Sequence, residues 1–445
     1  MRRAGAAAGA FLFAAAALVG GRGCSASTPS SVASDATVAP PADSYIPWDG
    51  KGPACVPPPR PAGVPDGWEL YPDYDPCCGF YIPGASAPMP TPITWESCGS
   101  NAVPSGIACQ RMKFDWTYPP GTPPIAYATM GTKIGSNVLL KFTRLVGDYD
   151  YDVVANADGP ILNSLLETQW KRCALGLQDL SGDRYVAGVL ENNQSVPSGF
   201  LSGKTDRSLA DVVTHLSIPG GHGFRVGQVG ILDVSEGHVF HLYPAKDFKN
   251  SITLWSDAQD NGLAQVGPFF YGDDLFWNAT SLDDAKVHIW TEAGGVKDFI
   301  SFPDFSRTAS SLGTDGTDMV WLEGVPRTTD GSFLPASIMT APYTTNPTQI
   351  TKRRLRSEAG NVGVSNFVVG CGYAARDLYG QTRLVRVADG QSWLLGSNPT
   401  SSNLWDWMTP LVITCAEMFA YVTADGQPNI ARVRLDSLGP GVPPD

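Results

Sequence analysis

A polar residue followed at once by a run of strand-forming apolar residues recurs seven times along this chain. The spacing of that unit restricts the fold more than any other feature. Asn137 opens NVLLKF, Asp183 DRYVAGV, Gln228 QVGILDV, Asp274 DLFWNA, Asp318 DMVWLE, Asn366 NFVVGC and Glu417 EMFAYV, at steps of 46, 45, 46, 44, 48 and 51 residues. Six of the units carry a second apolar strand after a short polar gap: YDVVAN, HVFHLY, KVHIWT, ASIMTA, TRLVRV and NIARVR. The second unit, near Phe200–Leu216, lacks a clear copy. A period of roughly 40–50 residues with several strands per unit marks a β-propeller, because one four-stranded blade cannot bury both of its faces alone. The runs Leu275-Phe276-Trp277 and Met319-Val320-Trp321-Leu322 are apolar at consecutive positions, as a strand squeezed between two neighbouring blades requires. The expectation is an all-β, seven-bladed propeller over residues 125–440, with six or eight blades compatible with the same spacing. An array of β-sandwiches is the alternative.

A propeller must be closed by strands from both ends of the chain. The last unit supplies LVITC, EMFAYV and NIARVRL, three strands where a blade has four. Residues 45–124 are rich in Pro, Gly, Trp and Cys and carry no helix signal. Two short runs there, Ile93–Trp95 and Met112–Trp116, are expected to provide the missing outer strand. Forty-eight Gly and 37 Pro suit a turn-rich β protein.

Residues 1–24 read as an export signal, with Arg2 and Arg3 before the apolar stretch Ala4–Val19, which is too short and Ala-rich for a membrane span. Cys24-Ser25 resembles the lipidated cysteine of bacterial lipoproteins: Gly23 suits the preceding position, while Arg22 and Gly21 depart from it. Ordinary cleavage near Ala26 is the alternative. The Ser/Thr/Pro/Ala composition of residues 25–44 suits an extended tether. The expected address is therefore outside the cytoplasm, as an outer-membrane lipoprotein or a secreted protein whose only membrane contact is the lipid.

Nine cysteines support that address. Five cluster at Cys55, Cys77, Cys78, Cys98 and Cys109, and the vicinal Cys77 and Cys78 are expected to bond to different partners. Cys371 and Cys415 fall at or beside the first strands of adjacent units and are the expected disulfide. No Cys-x-x-Cys pair exists to favour zinc. Net charge −12 argues against a nucleic-acid partner, since counterion release needs a basic face. The one cationic cluster, Lys352-Arg353-Arg354 with Arg356, reads as a solvated strand edge.

Several stretches imitate catalytic motifs and fail on inspection. In SGFLSGKT, Ser198 occupies the position of the first glycine of a phosphate-binding loop. GGHGFRVG has the wrong glycine spacing for a dinucleotide loop and reads as a turn between blades. DAQDNG, from Asp257, lacks a third calcium ligand at Gln259 and has Pro268 in the place of the bidentate glutamate. No Gly-x-Ser-x-Gly elbow occurs. Two constellations remain. Asp148, Asp150 and Asp152 alternate in GDYDYD and offer calcium a row of carboxylates, against a solvated edge as the plain reading. Among five histidines, His215, His222, His238, His241 and His288, the pair His238 and His288 falls in equivalent strands of neighbouring units. A metal or acid–base pair there competes with ordinary packed or surface histidines.

The motifs SGDRYV, YGDDLFW and DGTDMVW, each followed by a strand such as KVHIW or TRLVRV, resemble TolB-like propellers and related periplasmic repeat proteins over roughly Ile125–Leu438. The Ser-Pro-Asp-Gly turn of those repeats is missing, so the resemblance implies the fold and no functional residue. The function expected is that of a monomeric, non-enzymatic, envelope-anchored propeller binding a protein or glycan on one face of the ring, without a cofactor. The rival is a hydrolase or lyase of an extracellular polymer, using His and Asp side chains at the central channel.

Overall fold

The computed structural model describes residues 68–71, 80–83, 93–98, 106–113, 127–134, 136–146, 149–158, 161–167, 173–191, 199–205, 213–215, 222–235, 239–248, 250–256, 268–280, 284–303, 308–326, 333–345, 350–357, 366–378, 381–396, 407–424 and 427–444. All lie in the compact unit Pro47–Asp445. Cys24, Cys55, Cys77, Cys78, Asp148, His238 and the DAQDNG stretch fall outside them.

The chain is a seven-bladed β-propeller. A hairpin of β1 (Trp68–Tyr71) and β2 (Phe80–Pro83) precedes β3 (Thr94–Ser97) and β4 (Cys109–Lys113). Blade 1 is β5 (Tyr127–Ile134), β6 (Asn137–Val146), β7 (Tyr149–Asn156) and β8 (Ile161–Glu167). Blade 2 is β9 (Cys173–Ser181), β10 (Arg184–Glu191), β11 (Gly199–Lys204) and β12 (Val213–His215). Blade 3 is β13 (His222–Val226), β14 (Gly230–Ser235), β15 (Val239–Pro244) and β16 (Ile252–Ser256). Blade 4 is β17 (Phe269–Tyr271), β18 (Asp274–Thr280), β19 (Asp284–Thr291) and β20 (Gly295–Pro303). Blade 5 is β21 (Thr308–Thr314), β22 (Asp318–Pro326), β23 (Phe333–Pro342) and β24 (Arg353–Ser357). Blade 6 is β25 (Phe367–Gly370), β26 (Tyr373–Leu378), β27 (Gln381–Arg386) and β28 (Ser392–Leu395). Blade 7 has five strands: β29 (Trp407–Ile413), β30 (Glu417–Ala424) and β31 (Gln427–Arg434), then β4 and β3 from the other end of the chain.

That composite blade closes the ring. β4 pairs antiparallel with β31, Cys109 opposite Val433, Gln110 opposite Arg432 and Arg111 opposite Ala431. The closing strand thus begins three residues before Met112 and includes Met112 and Lys113 of the run 112–116, whose remaining residues lie outside those described. β3 covers it from outside, and the Cys98–Cys109 disulfide locks the two. Met112 and Ile93 sink into the core shared by blades 7 and 1, with Phe419, Ile430, Leu140 and Phe142.

The consecutive apolar runs are the second strands out from the channel. Leu275 and Trp277 of β18 pack toward blade 3 with Leu232 and Phe240, while Phe276 packs toward blade 5 with Trp321 and Met319. Both faces of such a strand are core, so no polar alternation is tolerated. The innermost strands obey a different rule, because each must approach its neighbour closely around the channel. A Cβ on Gly227 would lie 2.5 Å from the Phe270 ring, one on Gly313 2.7 Å from Val369, and one on Gly131 2.8 Å from Val412. This corrects the reading of GGHGFRVG as a turn: His222–Val226 is the innermost strand of blade 3.

Blade 2 is complete as well. Its third strand is GFLSGK, whose Phe200, Leu201 and Ser202 are fully buried, with Ser202 Oγ donating to the Tyr185 carbonyl at 2.7 Å. The phosphate-loop mimic is therefore a core strand. The Asp150 and Asp152 positions of GDYDYD lie within the sheet and not on its edge: they sit in β7, between β6 and β8, in register with Leu145 and Thr143 on one side and Glu167 and Leu165 on the other. After a 3₁₀ turn at Leu435–Ser437 the chain runs back over blade 6, where Val442 bridges Ser392 and the Gly439 carbonyl accepts from Trp393 Nε1 at 2.8 Å. It reaches blade 5, where Arg356 donates to the Pro443 carbonyl at 3.0 Å.

Candidate binding cleft

In an up-and-down blade the turn after the first strand and the turn after the third lie on the same face of the ring. Around that face, side chains link one blade to the next. Tyr343, after β23, donates to Asp274 of blade 4, and burial followed by the Asp274 carboxylate pushes its phenol well up. Asp315 of blade 5 accepts from the Gly372 amide of blade 6 at 2.6 Å, and from its own turn at Thr317 and Asp318. Burial, then the Asp315 charge, holds the Asp318 carboxyl above its usual range. The Cys371–Cys415 disulfide, Cα–Cα 5.0 Å, joins the same turn of blades 6 and 7. Farther in, Gln178 and Asp179 of blade 2 cap the Phe224 and Val226 amides on the free edge of β13 at 2.6 and 2.8 Å. Burial raises Asp179, with Arg225 opposing.

The linked face carries a cleft of about 810 Å³ at the closure seam. Its walls are the turn Cys415-Ala416-Glu417, the end of β31 with Arg432 and Arg434, Asp436, and Ile107–Gln110 leading into β4. Both disulfides border it, through Cys109 and Cys415. Ile430, Arg432 and Arg434 alternate with Ala431 and Val433 on β31. The alternate set faces blade 1, and Ala431 and Val433 fill the core toward blade 6. Arg432 is the pivot. Its Nε donates to Gln110 Oε1 at 2.8 Å, its Nη1 pairs with Asp158 of blade 1 at 2.7 Å, and its guanidinium lies 4.5 Å from the centre of the Trp95 ring. Trp95 in turn donates to the Ala157 carbonyl at 2.8 Å, so β3 and β31 both grip blade 1. Arg434 pairs with Asp436. Glu417 stands opposite Arg434 in register and 3.6 Å from Arg432 Nε, with 19% of its side chain exposed. Burial raises its carboxyl, Arg432 opposes that, and Asp158 adds to it.

Sequence reasoning picks out none of these groups as a site. Glu417 serves there only as the polar residue that opens the seventh unit, and Gln110, Trp95 and Asp158 are brought to it from the far end of the chain. The one local signal is the pair of arginines interrupting the apolar pattern of NIARVR. Of the residues that sequence does single out, His288 lies on the third strand of blade 4, 8% exposed, packed on Trp277 and Trp255 and 3.0 Å from Asp298 on the outer strand. It faces Trp255 of blade 3, and His238, the other half of the expected pair, lies outside the described residues. His241 contacts Thr253 at 3.3 Å, and His215 and His222 end and begin β12 and β13. Among the described residues no three His, Cys, Asp or Glu side chains gather as a metal site. Of the cationic cluster, Arg353 donates to the Val387 and Ala388 carbonyls of blade 6 from the outer strand of blade 5.

No family model matches the chain, and no curated protein matches it. Solved structures do. The chain is similar to the β-propeller domain of the Trilobed protease from Pyrococcus furiosus at 10% identity, covering 70% of this chain and 94% of that one, with a TM-score of 0.46. It is similar to prolyl endopeptidase at 12% identity, covering 72% of this chain, with a TM-score of 0.50. It spans about half of that enzyme's length, 49%. BamB from Moraxella catarrhalis matches at 12% identity over 78% of this chain and 99% of that one, with a TM-score of 0.39. At such identities the likeness is one of fold, and the fold is a β-propeller.

Proposed function

We propose that this protein is a non-catalytic binding propeller that recognises a protein or glycan partner of the cell envelope on its linked face, centred on the closure cleft. One observation carries the reading: the cleft's two arginines are already engaged, Arg434 with Asp436 and Arg432 with Gln110, Asp158 and the Trp95 ring. Such a surface is preorganised for recognition. Among its described residues no nucleophile-and-base pair of the kind covalent hydrolysis needs is assembled. The two disulfides fit an oxidising compartment, and no helix among the described residues is long and apolar enough to cross a membrane. Acylation of Cys24 would hold the ring at the membrane through the tether 25–44. Replacing Cys24 with Ser should then release the protein from the membrane fraction.

The test of binding is capture by the full chain and by Ala416→Trp, a change at an exposed position in the cleft wall that blocks its mouth. Envelope extract and purified envelope polysaccharide are passed over both. A partner held by the wild type and lost from Ala416→Trp supports the reading. Equal capture by both, or capture no better than by an unrelated propeller, refutes it.

A further inference from the structure

The two disulfides of the closing region sit in opposite surroundings. Cys98 and Cys109 pack into the core of blades 6 and 7 with Met418, Ala431 and Val433, and Cys109 is 9% exposed. Cys371 and Cys415 are both exposed on the linked face, and Cys415 stands in the wall of the cleft. Exchange with a thiol requires the attacking thiolate to reach a bonded sulfur, so access separates the two bridges. Backbone conformation points the same way. Cys371 and Gly372 form the two-residue turn between β25 and β26, with φ 48° and 78°. Such a turn favours Asn-Gly, and a cysteine, with its Cβ, holds the left-handed conformation at a cost. Opening the bond removes one of the ties that keep it there. The structure on either side has other supports. Thr414 Oγ1 accepts from the Ala416 and Glu417 amides at 3.3 and 2.9 Å and donates to the Glu417 carbonyl at 3.0 Å, so the Cys415 turn is capped from within. The Gly372 amide is held by Asp315 at 2.6 Å. Gly370 packs so closely on blade 7 that a Cβ there would collide with the Ile413 carbonyl.

We propose that the Cys371–Cys415 bridge is a thiol–disulfide exchange site, opened by a dithiol reductant while Cys98–Cys109 stays closed. The attacking thiolate enters through the cleft and bonds to Cys415 Sγ, and the bond between the two Sγ atoms breaks to release Cys371 as a thiolate. At that stage the reductant is tied to the cleft wall as a mixed disulfide. Its second thiol, as thiolate, attacks its own bonded sulfur and releases the Cys415 thiolate. The dithiol leaves as a disulfide, two electrons pass to the bridge, and the two cysteine thiolates take up the two protons that the dithiol gave up. The exchange stands whether or not the cleft also binds an envelope partner.

The test uses the full chain with its disulfides intact and any free thiols blocked by N-ethylmaleimide. It is treated with graded dithiothreitol or glutathione, quenched with iodoacetamide and mapped by peptide mass spectrometry. Dithiothreitol should open Cys371 and Cys415 to alkylation about tenfold or more faster than Cys98 and Cys109, at a rate proportional to its concentration. The circular dichroism spectrum should stay native as they open. Glutathione, a monothiol, isolates the first step and should leave its adduct on Cys415 ahead of Cys371. Equal rates at the two bridges, or no opening of Cys371–Cys415 short of unfolding, overturns the exchange site. A glutathione adduct on Cys371 in place of Cys415 overturns the attack through the cleft, and with it the proposal as stated. Every reading is made on the wild type, so none depends on a variant folding.

Discussion

Removing the Cys371–Cys415 bridge isolates one link of the stitched face, and its effect can be worked from the structure. The bonded residues are 44 apart and the loop between them contains most of blade 6. In the chain-entropy model a loop of that length stabilises the fold by about 4 kcal/mol. Unfolding a unit of roughly 400 residues, Pro47–Asp445, carries an entropy near 0.8 kcal/mol/K at about 2.1 cal/mol/K per residue. Replacing both cysteines by serine should therefore lower Tm by about 5 °C. A second variant separates the cross-link from the backbone. Cys371 has φ 48°, the left-handed region, which costs a residue with a Cβ about 1 kcal/mol or more. Cys371→Gly with Cys415→Ser should recover about 1 kcal/mol, or about 1 °C, relative to the double serine variant. The assay is a thermal melt by circular dichroism with and without reductant. Reductant should lower the double serine variant further, because the Cys98–Cys109 bridge, with 11 residues of separation, contributes about 3 kcal/mol in the same model. A double serine variant melting within about 1 °C of the wild type would show that blades 6 and 7 are held in register without the covalent link.

Three further outcomes are expected. Met112→Ala, in the closing strand at 3% exposure, should cost about 2–5 kcal/mol and speed proteolysis near the seam, measured by denaturant melts and limited digestion. Gly227→Ala should cost about 1–3 kcal/mol in the same melts, because its Cβ would press into the Phe270 ring at 2.5 Å. Glu417→Gln should alter the pH profile. Burial raises the folded-state carboxyl above its unfolded value, so the native chain holds its proton longer and stability falls as pH rises through that window. The glutamine variant lacks that fall, and its Tm should gain on the wild type from the ordinary carboxylate range upward and then run parallel; a constant difference would refute the assignment.

The propeller is legible in the sequence because its second strands are buried on both faces. Leu275-Phe276-Trp277 and Met319-Val320-Trp321 cannot alternate, and blade repetition sets their spacing. GFLSGK is harder to read, since its glycines and Ser202 satisfy local packing and hydrogen bonding and dilute the apolar signal. GGHGFRVG misleads for a related reason: an innermost strand needs small residues where blades converge, and glycine in a sequence speaks first for turns. The cleft is the least legible part. Arg432 acquires its meaning from Gln110, Asp158 and Trp95, and no local pattern announces that a strand from the other end of the chain will lie beside it.

The closing strand also sets an order of events. Within blades 1 to 6 every paired strand is a sequence neighbour, so each can form from hairpins as soon as its residues are present. The seam joins Gln110 to Arg432 across 322 residues, and Ala108 to Ser437 across 329. Closing a free loop of that length costs about 3 kcal/mol more than closing a ten-residue hairpin, a cost that falls as the intervening blades curve the chain back on itself. Six blades must therefore largely stand before β31 can accept β4. The same contacts are the natural first to part when the molecule opens, since no chain connection holds them. How long the ring persists is then decided at three register pairs, Cys109–Val433, Gln110–Arg432 and Arg111–Ala431, together with the grip of Arg432 and Trp95 on blade 1. The six blades between them act as a spring that brings the ends within reach.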